Sequence, residues 1–301
     1  MIVLHASLVF GVQAQLGEGA FWHPDHQLLY WLDIEGRSLH RFDPKNNRDD
    51  LTPLERRVGC VVPTNSGTLF LAGEQGIEEF WPETGKRVFL MDPESDRPTN
   101  RLNDGKCSPE GRFWFGSLSM VRESHQASFY RMDFDGTVHR KLTGLTNSNG
   151  IGWSPDGKTL YHIDTPTRTV AAFDYDMEFG EITNKRIIVR FPEDPDFGRP
   201  DGMTVDTEGK LWVAHWLGGR VTCWTPGGTL FQTVLVPVRR VTSVAFGSDD
   251  LQTLFITTAS HGMSDEEKKH EPDAGRLFAM RLEVPGLPVN FFRKNFQSQK
   301  T

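Results

Sequence analysis

A repeat constrains this chain more than any other feature. A polar turn followed by an apolar-aromatic strand occurs as "HQLLYWLD" around Tyr30, "SGTLFLAG" around Phe70 and "EGRFWFGS" around Trp114. It returns as "DGKTLYHID" around Tyr161, "EGKLWVAH" around Trp212 and "LQTLFITT" around Phe255. The copies lie roughly 40 to 50 residues apart, the period of propeller blades and not of a sandwich. Between them runs a second strand pattern that ends in a tight turn: "GRSLHRFDP", "QGIEEFWPETG", "SFYRMDFDG", "RTVAAFDYD", "GRVTCWTPGG" and "GRLFAMRL". The expected fold is all-β: a six-bladed β-propeller of four-stranded antiparallel blades, occupying residues 1–301 as one domain. Its ring closes when the early segment "LHASLVFG" pairs into the final blade, which leaves no free blade edge.

Composition supports this. The 29 Gly and 18 Pro fall largely in turn signals such as "SPDG", "DTEG" and "TPGG". Helical periodicity is nearly absent, apart from a short surface turn near Ser264 to His270. The formal charge of -7 comes without a basic stripe, which argues against a nucleic-acid partner. Cys60, Cys107 and Cys223 form no close pair, so neither a disulfide framework nor a thiolate metal site is expected. "MIVLHASLVFG" lacks a basic leader and a cleavage site, and no apolar run reaches 18 residues. The expected setting is cytoplasmic, without membrane partners, for a monomer or simple homo-oligomer.

Four repeats carry polar residues that a blade does not need. Glu18 in "LGEGAFWHPD" stands seven residues before Asp25, and Asn103 in "NRLNDGKCSPEG" seven before Glu110. Asn149 in "TNSNGIGWSPDG" stands seven before Asp156, and Asp201 in "FGRPDGMTVDTEG" seven before Glu208. If the blades superpose, all four face one channel mouth. Two carboxylates and two amides gathered there need a cation or a ligand. Oxygen ligands suit Ca²⁺, Mg²⁺ or Mn²⁺, and Zn²⁺ remains open although no His or Cys shares the register. Taken singly, Asn or Asp before Gly is an ordinary turn former. Asp104 and Asp25 are read as turn or capping groups, and Asp164 and Asp206 as strand-end ties. Trp31, Trp114, Tyr161 and Trp212 are read as packing between blades. His215 is read as a strand-end hydrogen-bonding group, with contact to a ligand at the rim as the rival. No P-loop, HExxH or GxSxG motif is present.

"LGEGAFW", "RLNDGKCSPEGRFWFG", "SNGIGWSPDGKTLYHIDT" and "RPDGMTVDTEGKLWVAHWLGGRV" together resemble the SMP-30/gluconolactonase/LRE family, from about Gly17 to Ala259. The resemblance implies a six-bladed propeller with one divalent metal ion. It implies Glu18, Asn149 and Asp201 as metal ligands, Asp201 also as general base, and Arg101 and Asn103 as substrate contacts. Ala20 stands where the family's first motif more often has Pro. Met120 and Val121 stand where members carry a Glu that holds sugar hydroxyls, with Glu123 slightly later. The activity it implies is hydrolysis of a sugar aldonolactone to the aldonic acid, the metal polarising the carbonyl. The rivals are an aryl-ester or phosphotriester hydrolase on the same fold and a non-catalytic calcium-binding propeller.

Overall fold

The computed structural model describes residues 2–298. Six sheets stand around a central channel. Each inner strand begins at one end of the channel, here the mouth, and runs to the other, the floor. The inner strands of blades 1 to 6 are Gly17–His23, Val58–Pro63, Asn100–Cys107, Ser148–Trp153, Arg199–Val205 and Val241–Gly247. Each pairs antiparallel with the aromatic strand predicted to follow it. The intervening turns are built as their residues require. In "SPDG", Ser154 N donates to Thr159 O at 2.9 Å and Gly157 N to Ser154 O at 2.8 Å, with Gly157 at φ +70°.

Register decides what faces the channel. Every inner strand slips against its neighbour near the mouth: between Glu18 and Phe21, Val58 and Cys60, Leu102 and Gly105, Asn149 and Ile151, Pro200 and Met203, and Val241 and Val244. A bulge of this kind re-aims side chains that strict alternation would send into the blade. The sequence offset of seven residues marks this bulge.

The core lies between blades. Trp31, Trp114, Tyr161 and Trp212 are all buried, as their spacing predicts. Trp22 of blade 1 stacks on Phe255 of blade 6 with centroids 6.1 Å apart, and Trp114 packs with Trp153 and Tyr175 of blade 4. Each such side chain contributes roughly 1.5–3 kcal/mol by burial. Cys60, Cys107 and Cys223 are free and buried. The one α-helix among the described residues, Asp265–His270, is capped by Ser264 in a capping box with Glu267. No described helix is long and apolar enough to cross a membrane.

Closure differs from expectation in one respect. The N-terminal segment is two strands, not one. Ser7–Phe10 completes blade 6 by pairing antiparallel with Leu277–Arg281, which closes the ring. Ile2–His5 instead adds a parallel fifth strand to blade 5, along Leu230–Leu235. The break falls at Ala6, whose N–H donates to Leu235 O at 2.9 Å.

The C-terminal residues 285–298, which carry no repeat, form a strap under the floor. Leu287 N donates to Val205 O (3.1 Å) in blade 5, Phe292 N to Pro63 O (2.8 Å) in blade 2 and Arg293 N to Gly111 O (2.9 Å) in blade 3. Phe292 is fully buried against Phe70.

Candidate functional site

The mouth of the channel gathers the residues singled out by register. Asn103 is their hub. Its Oδ1 accepts from Arg101 Nη1 at 2.7 Å. Its Nδ2 donates to Asn149 Oδ1 at 2.6 Å, to Ser148 O at 2.8 Å and to Asn147 Oδ1 at 3.2 Å. Asn149 Nδ2 donates to Thr165 Oγ1 at 2.7 Å, and Thr165 in turn donates to Pro200 O at 2.8 Å, beside Asp201. A continuous chain of hydrogen bonds therefore links blades 3, 4 and 5. It orients the Asn149 amide oxygen and leaves that atom a second lone pair.

Local sequence makes this approach possible. Gly150 sits at φ +28°, and a Cβ there would lie 2.5 Å from Ile163 Cδ1 and 2.8 Å from Asp201 O. The polar "SNG" is thus a bulge whose glycine lets blades 4 and 5 meet at the mouth. Ser148 Oγ is hydrogen-bonded to His162 Nε2 at 2.8 Å and anchors the start of the strand. In blade 2, a Cβ on Gly59 would come within 2.4 Å of Leu102 O and 2.8 Å of Arg101 Nη1. Gly59 leaves the space that the Arg101 guanidinium fills.

The electrostatics are dominated by burial. Glu18 is pushed up to about 8, first by desolvation and then by the charge of Asp104; its own Gly19 N–H and Arg101 oppose the shift. Asp201 is pushed well above the usual carboxylate range by burial, then by Glu18 and Asp104, against Arg101. Asp104 is raised by burial, partly offset by Lys106. Burial lowers Arg101 from its ordinary value, which Glu18 opposes. Among the described residues nothing donates a hydrogen bond to the Asp201 carboxylate, and Glu18 receives only the Gly19 N–H at 3.2 Å. Carboxylates so placed are short of positive charge and of donors.

Two carboxylates and an amide oxygen form a donor set that a hard divalent cation accepts. No group of three or more His, Cys, Asp or Glu side chains able to hold an ion occurs among the described residues. Any cation here would rest on the mixed set of Glu18, Asn149 and Asp201.

Some readings change. Asp104 is not a turn residue: it lies within the inner strand of blade 3, and its charge acts on both Glu18 and Asp201. Asp-Gly reads as a turn by local rules, and only the bulge shows otherwise. His215 is fully buried, with Nε2 hydrogen-bonded to Thr222 Oγ1 at 2.7 Å, and burial pulls it down to about 3. It serves its own blade. Asp164 accepts from Asn147 N at 2.9 Å and ties the entry to blade 4, while Asp206 accepts from Trp212 Nε1 at 3.0 Å. Met120 and Val121 lie just past the mouth end of Phe113–Ser119 and are 38% and 58% exposed, an apolar pair on the rim. Lys106 escaped the sequence reading. Its Nζ reaches from blade 3 across to the carbonyl of Met203 in blade 5.

Residues 16–260 match the SMP-30/Gluconolactonase/LRE-like region. The chain is 37% identical to the pentonolactonase XacC of Haloferax volcanii, over 93% of this chain and 95% of that protein. It is 37% identical to regucalcin of Danio rerio, over 91% and 93% of the two chains. Its fold superposes on the crystal structure of a calcium-binding protein, regucalcin, from Agrobacterium tumefaciens with a TM-score of 0.93 at 26% identity, covering 97% of this chain and 99% of the other. A lactonase- or esterase-type hydrolytic role is supported at the level of this family. With the match spanning most of its length and the same six-bladed ring, the chain belongs to the SMP-30/gluconolactonase/LRE family.

Proposed function

We propose that the chain hydrolyses a sugar lactone to its hydroxy acid at the channel mouth. The observation that carries this is Asp201: buried, acted on by the charge of Glu18, and with no hydrogen-bond donor to its carboxylate among the described residues. The 37% identity to a pentonolactonase supports the substrate class. A divalent cation (Ca²⁺, Mg²⁺, Mn²⁺ or Zn²⁺) held by Glu18, Asn149 and Asp201 would polarise the lactone carbonyl and stabilise the developing oxyanion.

The chain's own residues do the rest. Water adds to the acyl carbon, the ring C–O bond breaks, and one proton passes from the water to the departing ring oxygen. Asp201 takes that proton and returns it. Arg101 holds the sugar with the N–H groups not committed to Asn103 and Leu102 O. Asn103 has both ends of its amide engaged by protein groups, so its part is to orient Arg101 and Asn149, and the substrate contact falls to Arg101. Sugar hydroxyls find no carboxylate at Met120 and Val121.

The test is a panel of aldonolactones monitored by proton release, on metal-stripped protein with divalent ions added back. Turnover should return with one ion. Asp201→Asn, which keeps the size of the side chain and removes its charge, should lose at least about 100-fold in kcat. Near-full turnover by D201N with metal present would sink the assignment.

The apolar rim at Met120 and Val121 favours a second reading, an aryl-ester or phosphotriester hydrolase at the same position. The calcium-binding description of the Agrobacterium protein favours a third, cation binding without turnover. Rates on gluconolactone and phenyl acetate measured side by side separate the first two. Metal affinity with no turnover on either substrate would leave the third.

A further inference from the structure

Below the carboxylates of the mouth, the channel holds a cavity of about 340 Å³. It adjoins the site above and shares Asp104 with it. Gly19, Asp104 and Gly152 belong to its wall, whereas Glu18, Arg101, Asn149 and Asp201 do not. All six inner strands contribute as they descend from mouth to floor, and the strap closes it below with Leu287, Pro288, Val289 and Asn290. The volume lies within the range of small-molecule sites, and the walls are mainly apolar, with Phe21, Val61, Val244 and Phe246 prominent.

Two polar features stand out against those walls. Lys106 brings its amino group into the chamber; one of its donors goes to Met203 O, and burial pulls its pKa down while the charge of Asp104 favours the ammonium. Trp153, which is 5% exposed, also lines the chamber, and its indole N–H has no acceptor among the described residues. An apolar space with a cation and a spare donor suits a ligand that is mostly hydrocarbon and carries one anionic group.

The strap covers the floor and is held in place. Backbone hydrogen bonds pin the strap at Leu287 (to Val205) and at Phe292 (to Pro63). Between these points, the Asn290 side chain donates to Cys107 O at 3.3 Å and Phe291 packs edge-on against His23. The four residues between the pins form a short panel fixed at both ends.

We propose that this lower chamber is a second ligand site, for a small apolar carboxylate whose anion meets Lys106 and whose hydrocarbon lies against the Phe21, Val244 and Phe246 walls. Its lining excludes Glu18, Asn149 and Asp201, and it does not depend on the hydrolytic reading.

The test is calorimetric titration of the full chain with 2-naphthoate, and with 2-naphthamide as the uncharged analogue. One equivalent of naphthoate should bind, with and without added divalent ion and with or without excess gluconolactone. Lys106→Met should weaken naphthoate at least tenfold and leave the amide within about twofold, since the variant removes one charge-assisted contact. Val244→Trp should abolish binding of both by filling the chamber. If that variant fails to fold, a crystal of the unaltered protein soaked in naphthoate decides: density below the carboxylate ring supports the site, and density elsewhere overturns it. Absence of binding at millimolar naphthoate, competition by the lactone, or indifference to K106M would each overturn it as well.

Discussion

At the scale of single residues, the mouth is a problem of charge. Glu18 and Asp201 are held near each other in a desolvated place, with Arg101 as the nearest compensation. This has a signed consequence for the metal-free protein. Glu18 rises from 4.5 to about 8 on folding, so the native state holds its proton more tightly than the unfolded chain does. Its contribution is complete below about pH 4.5 and disappears as pH climbs through about 8. In the presence of a chelator, the thermal midpoint of the wild type should therefore fall between roughly pH 5 and 8 relative to Glu18→Gln, whose curve should be flatter. Adding a divalent ion at pH 8 should restore the wild type and do less for the variant. A wild-type curve parallel to that of E18Q would show that Glu18 ionises normally. Glu18, Asn149 and Asp201 were legible in the sequence because a seven-residue offset recurs, and offsets survive folding. Asp104 was not, because a lone Asp before Gly carries the same local signature in a turn and in a bulge. The engaged amide of Asn103 was also invisible, since its partners Asn149 and Arg101 lie in a different blade and two residues back.

At the scale of elements, one bulge repeated in six inner strands makes the site. It supplies space as well as direction. Gly59 occupies the bulge of blade 2, as Gly150 does that of blade 4, and the Arg101 guanidinium lies in the space beside it. Gly59→Ala should push the guanidinium aside. We expect a rise in KM and roughly a tenfold loss in kcat/KM, with a stability cost of about 1–3 kcal/mol from overpacking. Steady-state kinetics with a denaturant titration would check both; unchanged KM would mean that Arg101 does not hold substrate. Aromatic strands and their turns could be located from sequence because period-two alternation and Gly-Asp turns are local. The strap could not: residues 285–298 have no alternation, and their hydrogen bonds go to blades 2, 3, 5 and 6, across the floor. The N-terminal segment was read as one strand because alternation runs on through Ala6; the switch between neighbouring blades is a tertiary event.

At the scale of the whole molecule, the ring is held by a short segment. Ser7–Phe10 completes blade 6, and Phe10 packs on Phe42 of blade 1 with centroids 4.9 Å apart. Ile2–His5 grips blade 5. Removing residues 2–10 would expose the edges of blades 5 and 6 and open the contact to blade 1. We expect the thermal midpoint to fall by more than about 10 °C, corresponding to several kcal/mol in a chain of this size, and aggregation to rise through the bared edges. Differential scanning fluorimetry with light scattering would test this; a shift of only a degree or two would mean that interblade packing alone closes the ring.

The two-part N-terminal segment also sets an order of events during biosynthesis. Ile2 pairs with Gln232 and Ser7 with Ala279, so each of these strands meets its partner only after a long stretch of intervening chain has been made. At about 5–20 residues per second, these apolar strands wait roughly 15 to 60 s. Ile2, Val3 and Leu8 stay half-exposed even in the finished protein, so during that interval the nascent chain presents an unpaired apolar segment that holdase chaperones are suited to cover. Ring closure therefore waits for Leu277–Arg281, and Glu18 of blade 1 and Asp201 of blade 5 take their places at the mouth only once that step is done.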